Sequence, residues 1–171
     1  MSIRDKYIEY GVDSFYKQYK DEYQNPHKQI IQNLLSYAKS NWNLGNNLLD
    51  LCCGSGEVTE MFLDKNIVGN DPYTFELYMK NTNKQCYTKS FKNIVENGLE
   101  NKYDTIICSF AMHLCEESML PTLLWRLSEK CNQLIIITPH KRPDCNMLGW
   151  NLVDSKKENK VTMKLYQHNF I

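Results

Sequence analysis

The stretch Asn47-Leu48-Leu49-Asp50-Leu51-Cys52-Cys53-Gly54-Ser55-Gly56-Glu57-Val58-Thr59 places an apolar run, an acidic residue, a tight glycine loop and a helix start in direct succession. A strand that turns at once into a helix accommodates that order, and such a junction can hold an anionic or nucleoside ligand at its loop. Leu48, Leu49 and Leu51 supply the strand, with Asp50 near its C-terminal end. Val58, Met61 and Phe62 then recur at helical spacing.

The remaining chain repeats the alternation. Asn25-Pro26 reads as a helix start, with Ile30, Ile31, Leu34, Leu35 and Ala38 as the apolar stripe and an end near Ser40. Ile67-Val68-Gly69 begins a second strand that ends at Asp71-Pro72, and Pro72 is suited to open a helix through Phe75, Tyr78 and Met79. Cys86-Tyr87-Thr88 is a weak third strand, followed by Ser90-Phe91 and a short helical piece with Ile94 and Val95. Tyr103 to Ser109 is a clearer strand, β-branched in its middle, and Met119 to Leu127 builds a helix face with Pro121 in its first turn. Leu134 to Thr138 is apolar almost throughout, as a strand covered on both faces must be. Trp150 to Val153 and Val161 to Leu165 read as a terminal antiparallel hairpin around a charged turn at 155–160.

The expected fold is therefore α/β and doubly wound: a mostly parallel sheet with helices on both faces and a C-terminal antiparallel hairpin. A single domain spans 1–171, with its ligand crevice beyond the C-terminal strand ends. Residues 1–25 are rich in tyrosine, and Tyr16, Tyr19 and Tyr23 share a face if helical. That face either packs on the core, which the spacing favours, or forms an N-terminal helical lid with the hydroxyls as polar handles.

Composition narrows the partners. The chain has 20 Lys and Arg against 20 Asp and Glu, a formal net charge of zero, so no electrostatic footprint for DNA is expected. No apolar run reaches membrane-span length, and the opening residues lack the apolar core of a secretory signal; a cytoplasmic protein without a membrane partner is expected. Seven cysteines, an odd number lying mostly in apolar segments, read as reduced thiols. Cys52-Cys53 without a CxxC spacing gives no metal site.

Three features meet in the crevice: the Gly54-Gly56 loop, Asp71 after the second strand and Ser90-Phe91 after the third. Glycines admit close backbone approach, Asp71 can accept two hydrogen bonds from a ribose diol, and a serine or aromatic edge can flank a nucleobase. A dinucleotide loop would continue to a third glycine, where this chain has Thr59. Asp50 also suits an ammonium group better than a pyrophosphate. An aminoacyl nucleoside fits better than NAD, and the NAD-linked oxidoreductase ranks lowest.

These residues resemble the class I S-adenosylmethionine-dependent methyltransferases, with their Rossmann-like fold. The resemblance is carried by Leu48 to Gly56, by Val68-Gly69-Asn70-Asp71, and by Tyr103-Asp104-Thr105-Ile106-Ile107-Cys108-Ser109-Phe110-Ala111-Met112-His113-Leu114, and it covers about residues 26 to 139. It implies S-adenosylmethionine as cofactor and S-adenosylhomocysteine as product. The loop Asp50, Cys52, Cys53, Gly54, Ser55 and Gly56 would hold the methionine part, Asp71 with Pro72 the ribose, and Ser90 with Phe91 the adenine. Ser109 and Phe110 would line the space where donor and acceptor meet. The family commonly has glycine where Cys52 stands and often an acid where Ser90 stands.

Methyl transfer from a sulfonium needs alignment of the nucleophile and exclusion of water, with a base as an option. His113 and His140, at the ends of the fourth and fifth strands, are the candidate catalytic bases; either can instead be a structural histidine. Lys141 and Arg142 would face an anionic group or form a solvated loop. A small-molecule acceptor is expected ahead of protein or RNA. The alternative is a non-catalytic S-adenosylmethionine-binding sensor or partner subunit, favoured by the little chain left to build an acceptor site.

Overall fold

A computed structural model of the chain describes residues 27–168. Residues 1–25, and with them the expected tyrosine lid and the Asn25 cap, lie outside the described residues. Among the described residues five α-helices, α1 (Lys28–Asn41), α2 (Glu57–Glu60), α3 (Phe75–Thr82), α4 (Phe91–Asn97) and α5 (Leu120–Ser128), alternate with seven strands. The strands are β1 (Asn47–Leu51), β2 (Asn66–Asn70), β3 (Cys86–Tyr87), β4 (Thr105–Ser109), β5 (Gln133–Thr138), β6 (Asn151–Glu158) and β7 (Val161–Gln167). They form one sheet in the order β3-β2-β1-β4-β5-β7-β6. The first five are parallel, and β7 runs antiparallel between β5 and β6. Strand order reverses between β1 and β4, which fixes the crevice at the C-terminal ends of those two strands.

The period of two along each strand divides the core. Leu49, Leu51, Ile106, Cys108, Leu134 and Ile136 face α4 and α5, together with Ile94, Leu123, Leu124 and Leu127. Leu48, Ile107, Ile135 and Ile137 face α1 and α2, against Ile31, Leu34, Leu35, Ala38, Val58 and Phe62. Asp50 shares the parity of Leu48 and is thereby directed under α2.

Three local expectations are corrected. The helix after the glycine loop is one turn, Glu57–Glu60, followed by turns, so it offers little helix dipole. Pro72 does not open α3: Oδ1 of Asp71 accepts the amides of Tyr73 at 2.8 Å and Thr74 at 3.1 Å, and the helix starts only at Phe75. The charged segment expected as a turn is largely strand. β6 continues to Glu158, and the reversal is confined to Asn159-Lys160, with Asn159 at φ 54°. As the outer strand β6 can be polar and Lys-bearing along most of its length. Its Asp154 ties it to α1 by accepting from Trp42 Nε1 at 2.9 Å and Tyr37 hydroxyl at 3.4 Å.

Candidate functional site

The loop leaving β1 is built on left-handed backbone. Cys52 has φ 57°, Gly54 φ 55° and Gly56 φ 100°. At Cys52 this conformation opposes a Cβ, which explains the glycine common there in the resembling family. Gly56 is required twice over, since a Cβ would also lie 2.5 Å from Thr82 Cγ2. The amides of Cys52 and Cys53 donate to the Asn70 carbonyl at 2.8 and 3.3 Å, the Gly56 amide to the Cys53 carbonyl at 3.0 Å, and the Ser55 hydroxyl to the Glu57 carboxylate.

Asp50 stands behind this loop rather than in it. It is 1% exposed, and its Oδ2 accepts the Thr59 hydroxyl at 2.8 Å. Thr59 has one hydroxyl proton, so the Tyr78 hydroxyl, also 2.8 Å away, donates to Thr59. Burial holds the Asp50 carboxyl well above the usual carboxylate range; the Thr59 bonds oppose this, and the charges of Glu57 and Asp71 add to it. The ammonium contact expected of Asp50, direct or through water, stands beside a role that the structure does show, support of the loop through Thr59.

Asp71 joins the loop to β2. Its Oδ2 accepts the Gly54 amide at 3.3 Å while Oδ1 holds Tyr73 and Thr74. Three backbone amides thus compete with a ribose diol for its lone pairs. Burial raises its carboxyl above the ordinary value against those amide bonds. Asp50, Glu57 and Asp71 are all buried around one glycine loop, and among the described residues no basic side chain forms an ion pair with them. A pyrophosphate would be repelled there, and a cationic group attracted.

The Ser90 hydroxyl proton is spent at the start of α4, and one lone pair of its oxygen is left for a ligand. Ser90 caps α4, accepting the Asn93 amide at 3.1 Å and donating to Asn93 Oδ1 at 2.9 Å, while the Ser90 amide reaches the same Oδ1. Phe91 is half-buried and packs against the α4 and α5 core. Pro72 is half-buried in the turn after Asp71.

At the end of β4 the Ser109 hydroxyl is buried and has no hydrogen-bond partner. Phe110 follows at φ 55°, its amide held by the Ile137 carbonyl at 2.8 Å. The His27 ring stacks on Phe110 with centroids 4.4 Å apart and planes 10° apart, and burial lowers the His27 pKa. His113, in the 3₁₀ turn Met112–Leu114, and His140, after β5, come together with ring centroids 4.4 Å apart. The two histidines expected at separate strand ends thus form one pair.

Sequence reasoning missed three residues. Asn70 holds both loop amides through its carbonyl, and its side chain brackets Lys89. Tyr78 fills the space above Gly69, where a Cβ would lie 2.6 Å from Tyr78 Cζ. His27 arrives from 83 positions upstream of Phe110 in sequence (110 minus 27). Only Tyr78 had a signal, as an apolar-face residue of α3 placed opposite a strand glycine. A cavity of about 640 Å³ lies at the opposite end of the sheet, by Trp42, Asp104, Gln133 and His168, and includes none of these crevice residues.

The strand order, the parallel core and the terminal antiparallel pair make this the class I S-adenosylmethionine-dependent methyltransferase fold. Magnesium protoporphyrin IX methyltransferase of Synechocystis PCC 6803, crystallised with S-adenosylhomocysteine, superposes with a TM-score of 0.69 at 14% identity, over 98% of this chain and 98% of that one. The N-methyltransferase NodS of Bradyrhizobium japonicum WM9, also with S-adenosylhomocysteine, gives 0.69 at 12% identity over 96% and 97%. In sequence, an uncharacterized protein of Schizosaccharomyces pombe is 29% identical over an alignment 198 positions long, covering 88% of this chain and 80% of that protein. No family model matches the chain. Among the described residues no helix is long and apolar enough to cross a membrane.

Proposed function

We propose that this chain is an S-adenosylmethionine-dependent methyltransferase acting on a small molecule. The observation that carries the reading is the convergence of the buried carboxyls of Glu57 and Asp71 on a left-handed glycine loop that Asp50 supports from behind. That field favours a ligand bearing ammonium and sulfonium charge over a dinucleotide. Structural relatives crystallised with the cofactor or its product support the same choice.

In this reading Gly54, Ser55 and Gly56 with Cys52 and Cys53 border the methionine part, and Asp71 holds a ribose hydroxyl beside Pro72. The adenine would lie beside the α4 start, against the Phe91 region, with no bond donated by the capped Ser90 hydroxyl. The cofactor supplies an electrophilic methyl for in-line displacement. The chain supplies alignment and proton removal: Ser109 orients the acceptor through its buried hydroxyl, and the His113-His140 pair takes the acceptor's proton. Arg142 beyond that pair is paired with Glu117 at 2.9 Å, so the small-molecule reading does not invoke it as an anion clamp.

The test is release of S-adenosylhomocysteine from S-adenosylmethionine across panels of small hydroxyl, amine and thiol compounds, with peptide and RNA as separate arms. Turnover with a small molecule, lost in His113→Ala and His140→Ala, is the expected result. Turnover with only peptide or RNA overturns the acceptor class. Cofactor binding without turnover in any arm assigns the sensor role instead.

A further inference from the structure

Cys52 and Cys53 are adjacent in the loop, yet they face different partners. The Cys53 sulfur lies 3.5 Å from the sulfur of Cys86 on β3, and both thiols are free. It occupies the space left by the missing side chain of Gly69, where a Cβ would stand 2.9 Å from it. Cys86 is half-buried on an outer strand two residues long, open to a small reagent. Its two chain neighbours make rungs to β2: the Gln85 carbonyl accepts the Gly69 amide and the Tyr87 carbonyl accepts the Asp71 amide, each at 2.9 Å. The thiol pair thus bridges the glycine loop and the strand that seats Asp71.

We propose that Cys53 and Cys86 form a modification site that takes one two-electron oxidation by a hydroperoxide, closing a disulfide that weakens cofactor binding. The half-buried Cys86 thiol attacks the peroxide, giving a Cys86 sulfenic acid and an alcohol or water. The Cys53 sulfur then displaces water from that sulfenic acid, forming the S–S bond; two thiols and one hydroperoxide become one disulfide, one alcohol or water, and one further water. A disulfide brings its sulfurs to about 2.05 Å, so loop and strand must move together and the Gly54-Asp71 seat is displaced. The other cysteines are poorer targets. Cys108 is fully buried; the bond to Cys108 and burial push the Cys52 thiol well up, and burial pushes the Cys115 thiol up to about 11 and those of Cys131 and Cys145 up to about 12.

The effect on affinity rests on the cofactor reading above; the cross-link does not. The experiment treats the full chain with a small excess of hydrogen peroxide, blocks remaining thiols with an alkylating reagent, maps the peptides and titrates S-adenosylhomocysteine by calorimetry. The expected result is one Cys53–Cys86 linkage and affinity lowered about fivefold or more, restored by dithiothreitol. Cys86→Ser should match the reduced wild type in affinity and be insensitive to peroxide. A different linkage, no linkage once Cys86 is consumed, or a linkage with unchanged affinity overturns the proposal. If the reduced protein does not bind S-adenosylhomocysteine, the cofactor reading and the affinity effect fail, and the peptide map alone decides the pair.

Discussion

The carboxamide of Asn70 brackets the backbone of Lys89: Nδ2 donates to the Lys89 carbonyl at 2.8 Å, and Oδ1 accepts the Lys89 amide at 3.0 Å. The same residue's carbonyl receives Cys52 and Cys53, so one side chain and its backbone tie two walls of the crevice together. Asn70→Ala leaves the Lys89 groups without their partner and should cost about 1–3 kcal/mol, read by denaturant unfolding. Cofactor affinity should fall with it. Asn70→Asp should recover little, because it sets a carboxylate oxygen against a carbonyl oxygen.

The Asp50 carboxyl is the second lever, and its sign follows from burial. Its folded-state pKa lies above the ordinary 3.8, so the folded chain keeps that proton to higher pH than the unfolded chain does. The stability present below that ordinary value is lost as pH rises through the folded value. Asp50→Asn keeps an acceptor for Thr59 and removes the ionisation. The variant should be more stable than wild type near about pH 7, with the gap narrowing toward about pH 4, in urea melts at both values. Thr59→Val, which strips the carboxyl of its hydroxyl donor, should be destabilising by about 1–3 kcal/mol.

Cys52 offers a backbone test. In most positions alanine is more stable than glycine by roughly 0.5–1 kcal/mol, but at φ 57° the order should reverse. A left-handed Cβ costs about 1–2 kcal/mol, partly offset by the greater freedom of unfolded glycine. Cys52→Gly should therefore exceed Cys52→Ala in stability by under about 1 kcal/mol, measured as the difference between two melts. Equal stability, or alanine ahead, would contradict the strain.

The sheet was readable because each central strand is an apolar run with a turn signal after it, as in Leu134 to Thr138. β6 was truncated in the reading because a polar outer strand shows little alternation; its length depends on pairing with β7 and on Asp154 reaching Trp42, 112 positions away. The glycine loop and Asp71 were legible from residue type and order. The role of Ser90 was written in the sequence as well, since Ser90 and Asn93 have capping-box spacing, but the ligand expectation overrode that local signal. Asn70-Lys89, Tyr78-Gly69 and His27-Phe110 were not legible, because each depends on how one element lies on another.

The central claim is that a loop flanked by Glu57 and Asp71, and braced from behind by Asp50, selects a cationic aminoacyl nucleoside. Calorimetric titration of the full chain with S-adenosylmethionine, beside NAD, tests it most directly. The account predicts one S-adenosylmethionine per chain, binding more weakly as pH falls and Asp71 takes up a proton, and no heat from NAD. Absence of S-adenosylmethionine binding, or saturable binding of NAD at this loop, would contradict it.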